Sequence, residues 1–179
     1  MKERWVYRSR QVFAALFGTV TRGEMAEARS VLGSTLYNLF AALPQQYRRH
    51  ALTVYRHVIE AGCNDLTVRQ AALLHDLGKF DPETGRYVTI IHRVAVVLLE
   101  ALPFSRTLLR RLSRSNDVRG PGSSLLYPFH LSRYHPALGA RLAAQNGASA
   151  EVVALIAGHH KSTRQSKHLL ILQAADDNS

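Results

Sequence analysis

Cysteine is almost missing from this chain: Cys63 stands alone among 179 residues. One thiol cannot close an internal disulfide, which excludes a disulfide-stapled secreted scaffold and a thiolate zinc finger. Long apolar runs are missing too. They reach six residues, as in Val94–Leu99, far short of the roughly 20 that a membrane-spanning helix needs. A secretory leader is not expected either. Basic residues precede Val12–Val20, but Arg22, Glu24 and Glu27 stand where a small-residue cleavage site belongs. These absences together indicate a cytoplasmic protein. Acidic residues are also scarce, 13 against 23 Lys and Arg, and arginine outnumbers lysine nineteen to four.

What is present suits one domain, or one domain with an extension. Apolar residues make up 46% and charged residues 20%, enough for a core and unlike the low-hydrophobicity composition of disordered chains. The net charge of +10 favours anionic partners: nucleotides, nucleic acid or an anionic membrane face. The arginines are scattered along the chain, so charge alone does not choose among these.

Nearly every segment of ten or more residues reads as helix, punctuated by Gly and Pro. Helices are expected over Arg4–Phe17 and over Glu24–Leu43, the latter broken near Gly33 and ended by Pro44. Gln46–Ala61 follows, with Gly62 as its C-terminal stop. Asp65 or Thr67 caps a helix that carries Val68 to Leu77 and stops at Gly78, and Asp81–Gly85 is a turn. Thr89–Leu102 is valine-rich, but its length argues for a buried helix rather than a strand. Ser105–Arg114 reads as a basic helix and Ser115–Ser124 as a loop. Pro136 is suited to a first helical position, opening a helix that ends near Gly147. Ser149 caps a helix running into His159 and His160, and Leu169–Ala175 forms the last one. The fold class is all-α.

Nine histidines are many for this length. The pair His75-Asp76 ends the apolar stretch Ala71-Ala72-Leu73-Leu74. Polar groups at the inner end of a core helix cost free energy unless something satisfies them, and a metal ion satisfies both. Other helices bring comparable groups: His50 and His57, His135, His159 and His160, Asp176 and Asp177. Several helices each presenting a His or Asp to a shared interior is how helical proteins build metal sites. Imidazole with carboxylate and without sulfur suits Mn, Fe, Co, Ni or Zn.

In this arrangement the chain resembles the HD-domain superfamily of metal-dependent phosphohydrolases. His50-Ala-Leu-Thr-Val54 resembles that family's His-x-x-x-Val helix, and Ala71-Ala-Leu-Leu-His-Asp-Leu-Gly-Lys79 its central motif. Leu172-Gln-Ala-Ala-Asp176 resembles its terminal Ala-Asp. His135-Pro-Ala-Leu-Gly139 and His159-His160 are similar to the added histidines of the two-metal members. The resemblance implies a compact helical bundle over residues 46–179, with residues 1–45 as a helical extension. It implies one or two divalent ions (Mn, Fe, Co, Ni, Zn or Mg) and cleavage of a phosphoester or phosphoanhydride by metal-activated hydroxide. The implied substrate is a small phosphorylated molecule, with a nucleotide as the favoured class. His50, His75, Asp76 and Asp176 would hold a first ion. Asp76 would bridge to a second, held by His135, His159 and His160, and Lys79 would face the substrate phosphate.

Helical spacing places His57 on the same face as His50, and Asp177 fits a helix face with Leu170 and Ala174. The resemblance selects His50 and Asp176. The Gly-Tyr-Pro signature of the cyclic di-GMP branch is missing after His159-His160-Lys161. Arg106, Arg110, Arg111, Arg114 and Arg119 form the densest basic cluster, with Arg110 and Arg111 as candidate substrate-phosphate contacts. A solvated helix face carries equal weight there, and nucleic acid ranks below a small-molecule substrate. His92 reads as a core-edge histidine, and Trp5-Val6-Tyr7 as packing against the domain. The rival functions are a di-iron oxygenase of the same fold and a non-catalytic nucleotide-binding regulatory module.

Overall fold

Thr21 starts the first described helix with a reciprocal cap. Its hydroxyl accepts from the Glu24 amide at 3.2 Å, and the Glu24 carboxylate accepts from the Thr21 amide at 2.9 Å. The computed structural model describes residues 18–100, 107, 111, 123–161 and 166–179. Its described α-helices are α1 (Arg22–Ala42), α2 (Gln45–Glu60), α3 (Leu66–Leu74), α4 (Ile90–Glu100), α5 (Ser123–Gln145), α6 (Ala150–Gly158) and α7 (Lys167–Asp177). A 3₁₀ turn covers Leu77–Lys79. An isolated bridge between Phe80 and Tyr87 closes the Asp81–Gly85 turn, and no sheet occurs among the described residues. The fold is all-α. No helix among the described residues is long and apolar enough to cross a membrane.

The short helix α3 organises the bundle. Val68, Ala71, Ala72, Leu73 and Leu74 are fully buried, and α3 packs against α1, α2, α6 and α7. Burying a leucine side chain stabilises by roughly 2 kcal/mol, so this apolar segment fixes its own position at the centre. Asp65 caps it, accepting from the amides of Thr67 and Val68 at 2.8 and 3.3 Å. Ala28, Val31, Leu32, Leu36 and Phe40 of α1 join the same core. Gly33 breaks α1 as its sequence suggests, with φ at 68°, a conformation that a side chain would strain.

Several boundaries differ from the sequence reading. The central helix stops at Leu74, not Leu77, so His75 and Asp76 lie in the turn between α3 and the 3₁₀ segment. Pro136 does not open a helix: α5 begins at Ser123 and carries both Pro128 and Pro136 inside it. Packing against the 3₁₀ turn and α6 holds a helix that propensity alone would have interrupted. Asp176 and Asp177 belong to α7 rather than following it. Within the Thr89–Leu102 segment the described helix runs Ile90–Glu100, but its described side chains are not all buried, since Ile91 is 75% exposed and Val94 53%. The expectations for Arg4–Phe17, for Trp5-Val6-Tyr7, for Arg106, Arg110, Arg114 and Arg119, and for residues 115–122 lie outside the described residues.

Glu24 ties α1 to α2 through Arg49, 2.8 Å from its carboxylate, and through Arg56. Burial acts to raise the Glu24 pKa, but the Arg49 and Thr21 hydrogen bonds prevail and hold it at about 2. The folded-state value lies below the ordinary 4.5, so the contribution is complete above that pH and is lost as the pH falls toward 2. Glu24→Gln is expected to lower the unfolding free energy by about 1–2 kcal/mol at neutral pH, after allowance for solvent screening. Urea titrations should show the gap to the parent protein closing in acid; a gap that is constant with pH would refute the assignment.

Candidate metal centre

A helix end leaves its last four carbonyls without amide partners, and two histidines use this. His75 follows Leu74 directly, and its Nδ1 lies 2.9 Å from Ala72 O. His159 follows Gly158 in the same way, with Nδ1 2.7 Å from Ile156 O. His135 reaches an equivalent partner inside a helix. Proline has no amide hydrogen, so Pro136 frees the carbonyl of Ser132, and His135 Nδ1 lies 2.7 Å from it. A carbonyl only accepts, so each Nδ1 carries a hydrogen, and in the neutral ring Nε2 is the nitrogen that presents a lone pair. The three lone pairs turn inward, because all three side chains are buried.

The donors form two groups. In the first, His50 Nε2 lies 3.1 Å from Asp176 Oδ1 and 3.3 Å from His75 Nε2, and His75 Nε2 lies 3.5 Å from Asp176 Oδ1. In the second, His135 and His159 meet at 3.2 Å through Nε2, with His160 beside them. Bonds of about 2.0–2.2 Å from a divalent ion to imidazole and carboxylate set neighbouring donors roughly 3.0–3.5 Å apart. Both groups can therefore hold an ion.

Asp76 stands between them. Its carboxylate lies 3.5 Å from His75, 3.7 Å from His50, 3.7 Å from His135 and 4.0 Å from His159, measured to Nε2. Lys79 Nζ approaches at 2.8 Å and donates to Oδ2. Oδ1, equally near Lys79 Nζ, is buried and accepts no well-directed hydrogen bond. The Lys79 ammonium already meets part of its charge, and a buried carboxylate among imidazole donors can also serve as a ligand. The donor set as a whole fits a divalent metal.

Electrostatics agree. Burial pushes His135 down to about 3 and His159 to about 4, so both imidazoles are neutral donors at physiological pH. Burial favours the neutral acid at Asp76 but is overcome by Lys79, then His75 and His50, which hold the carboxyl well below its usual range. Asp176 is also held low: burial opposes, and hydrogen bonds to His50 and His75 prevail. His75 is shifted upward, since Asp76 and Asp176 together outweigh its burial.

The turn holding Asp76 is pressed against α5. A Cβ at Gly78 would fall 2.2 Å from His135 O and 2.7 Å from Gly139 N, so only glycine permits this approach. The site residues suggested by the sequence largely meet here. His57 does not: its Nδ1 lies 3.2 Å from Ala175 O instead. Asp177 is exposed and away from both groups. His92 is buried between α4 and α5, with Nδ1 2.7 Å from Thr89 Oγ1 and Nε2 3.2 Å from Leu125 O, a structural role. Arg111 is exposed, and Arg110 lies outside the described residues. Sequence reasoning missed the carbonyls that orient the rings. Proline directly after His135 was the one visible sign of them.

A family model, that of the HD domain, matches residues 47–178. The chain belongs to the HD domain family. No curated protein and no solved structure matches it. The matched region takes in every residue of the two donor groups, so the HD domain and the clustered His and Asp side chains coincide.

Gly78→Ala is expected to destabilise the protein by about 1–3 kcal/mol and to weaken metal binding, because backbone must move beside His135. Wild-type affinity for metal in a stably folded Gly78→Ala variant would contradict this. Acidification should also expel metal. His75 keeps its proton above the ordinary 6.5 and must release it to bind. Titration of metal-free protein with Zn²⁺ should show affinity falling from above pH 6.5 downward, with proton release on binding; affinity that is flat from pH 8 to 5.5 would be inconsistent.

Proposed function

We propose that this HD-domain protein is a metal-dependent phosphohydrolase acting on a small phosphorylated molecule, with a nucleotide as the favoured class. The observation that carries the proposal is Asp76: a buried carboxylate set among four imidazoles and one ammonium, between two groups of metal-capable donors. The domain assignment supports it, because HD domains are mostly metal-dependent phosphohydrolases. We place the hydrolase unit at residues 46–179 and treat residues 1–45 as an extension, whose helix α1 packs on α2 and α3.

In this reading His50, His75, Asp76 and Asp176 would hold one ion, and His135, His159 and His160, with Asp76, would hold a second. A divalent ion there would supply an acidified water and neutralise charge on phosphoryl oxygen. The protein's own groups supply position and field. The carbonyls of Ala72, Ser132 and Ile156 keep three imidazoles aimed before any ligand arrives, so little reorganisation is required during reaction. Lys79 pairs with Asp76 and is partly exposed, which lets its ammonium turn to a phosphoryl oxygen of substrate. Phosphoryl transfer depends mainly on such positioning and charge stabilisation. The basic surface, at +10 overall, raises the local concentration of anionic substrate. Arg110 and Arg111 complete the set of phosphate contacts in this reading.

The test is phosphate release from a panel of nucleotides and phosphomonoesters with Mn²⁺, Fe²⁺, Co²⁺, Ni²⁺, Zn²⁺ or Mg²⁺ added to metal-free protein. Asp76→Ala should reduce release about 100- to 1,000-fold, on the order of what loss of a catalytic electrostatic group costs, while circular dichroism stays helical. Undiminished turnover in that variant would overturn the mechanism. Metal-dependent nucleotide binding without release under any ion would favour a regulatory module, and iron-dependent oxygen consumption an oxygenase.

A further inference from the structure

His50 is the odd member among the imidazoles of the centre. His75, His135 and His159 each spend Nδ1 on a carbonyl freed by a helix end or a proline. His50 has no such carbonyl, because it lies within α2, where the carbonyls below it serve the helix's own ladder. Its Nδ1 lies instead 3.2 Å from Ser179 Oγ. That hydroxyl donates to Asp176 O at 2.7 Å. A hydroxyl has one proton to give. With that proton committed to Asp176, Oγ meets His50 as an acceptor, and His50 Nδ1 must carry the hydrogen.

The consequence reaches the metal side of the ring. His50 Nε2 then presents its lone pair toward Asp176 Oδ1 at 3.1 Å and His75 Nε2 at 3.3 Å, an arrangement that is repulsive unless a cation or a proton lies among them. Ser179, Asp176 and His50 thus close a ring: the backbone of Asp176 holds the hydroxyl, the hydroxyl holds the imidazole, and the imidazole faces the Asp176 carboxylate. We propose that Ser179 is a positioning residue for the first metal position, fixing the tautomer and direction of His50. The inference rests on the reading of His50 as a metal ligand. Nothing in the amino-acid pattern marks Ser179, since its role comes from the residues just after α7 lying against α2.

Competition for Co²⁺ against a chromophoric chelator, on the metal-free chain of residues 1–179, tests this without measuring turnover. Outer partners of metal-bound histidines typically contribute 10–100-fold in affinity. Ser179→Ala is therefore expected to weaken the tighter Co²⁺ step about 10-fold or more, and Ser179→Thr, which keeps the hydroxyl, to restore it. Thermal unfolding of the metal-free variants should match the parent protein, as for an exposed surface position. Equal Co²⁺ affinity in Ser179→Ala and the parent overturns the inference, as does loss in the Thr variant equal to that in Ala. His50→Ala separates the two levels. If the parent binds Co²⁺ and His50→Ala does not, the ligand reading stands and Ser179 is judged on its own variants. If His50→Ala binds as the parent does, the ligand reading fails and takes the inference with it.

Discussion

The centre depends on one recurring interaction, an imidazole Nδ1 donating to a backbone carbonyl that the helix ladder has released. At His75 and His159 the carbonyl is free because a helix has just ended, and at His135 because the following residue is proline. In each case the acceptor sits three residues before the histidine. The same requirement that buried carbonyls find donors therefore also decides which ring nitrogen faces inward. A fold that left these carbonyls to water would leave the rings free to turn, and the inward donor set would dissolve into several rotamers.

This explains why charge can be kept in the interior. Asp76 is buried, carries one oxygen without a directed hydrogen bond, and is compensated by Lys79 and the polarity of four rings. Buried charge is tolerated only when its partners are held rigidly. The rigidity comes from apolar packing of α3 against four other helices and from the backbone contact between Gly78 and α5. Hydrophobic burial and electrostatics are thus coupled: the first supplies the stiffness that makes the second affordable.

Most of the helices were legible from apolar spacing and punctuation, because Gly33, Asp65, Ser149 and Gly62 act locally. Pro136 was misread for a physical reason. A proline's local cost is visible in the sequence, whereas the tertiary contacts that hold α5 together around it are not. The site was legible where the chemistry is written in residue type, as at His75-Asp76 and His159-His160. Spacing could not separate His50 from His57, which differ only in where α7 crosses α2: one meets the Asp176 carboxylate and the other the Ala175 carbonyl. Ser179 and the orienting carbonyls were invisible, since backbone acceptors carry no sequence signature.

The donors come from α2, the α3 exit, α5, α6 and α7, so the centre is assembled from segments distant along the chain. In the unfolded chain only fragments such as His75-Asp76 or His159-His160 remain adjacent. An ion that needs the whole set thus discriminates between native and denatured ensembles, and mass action makes its free concentration a determinant of the folded fraction. An ion bound at such a centre would make its supply and the conformational stability of the protein linked quantities, quite apart from any reaction.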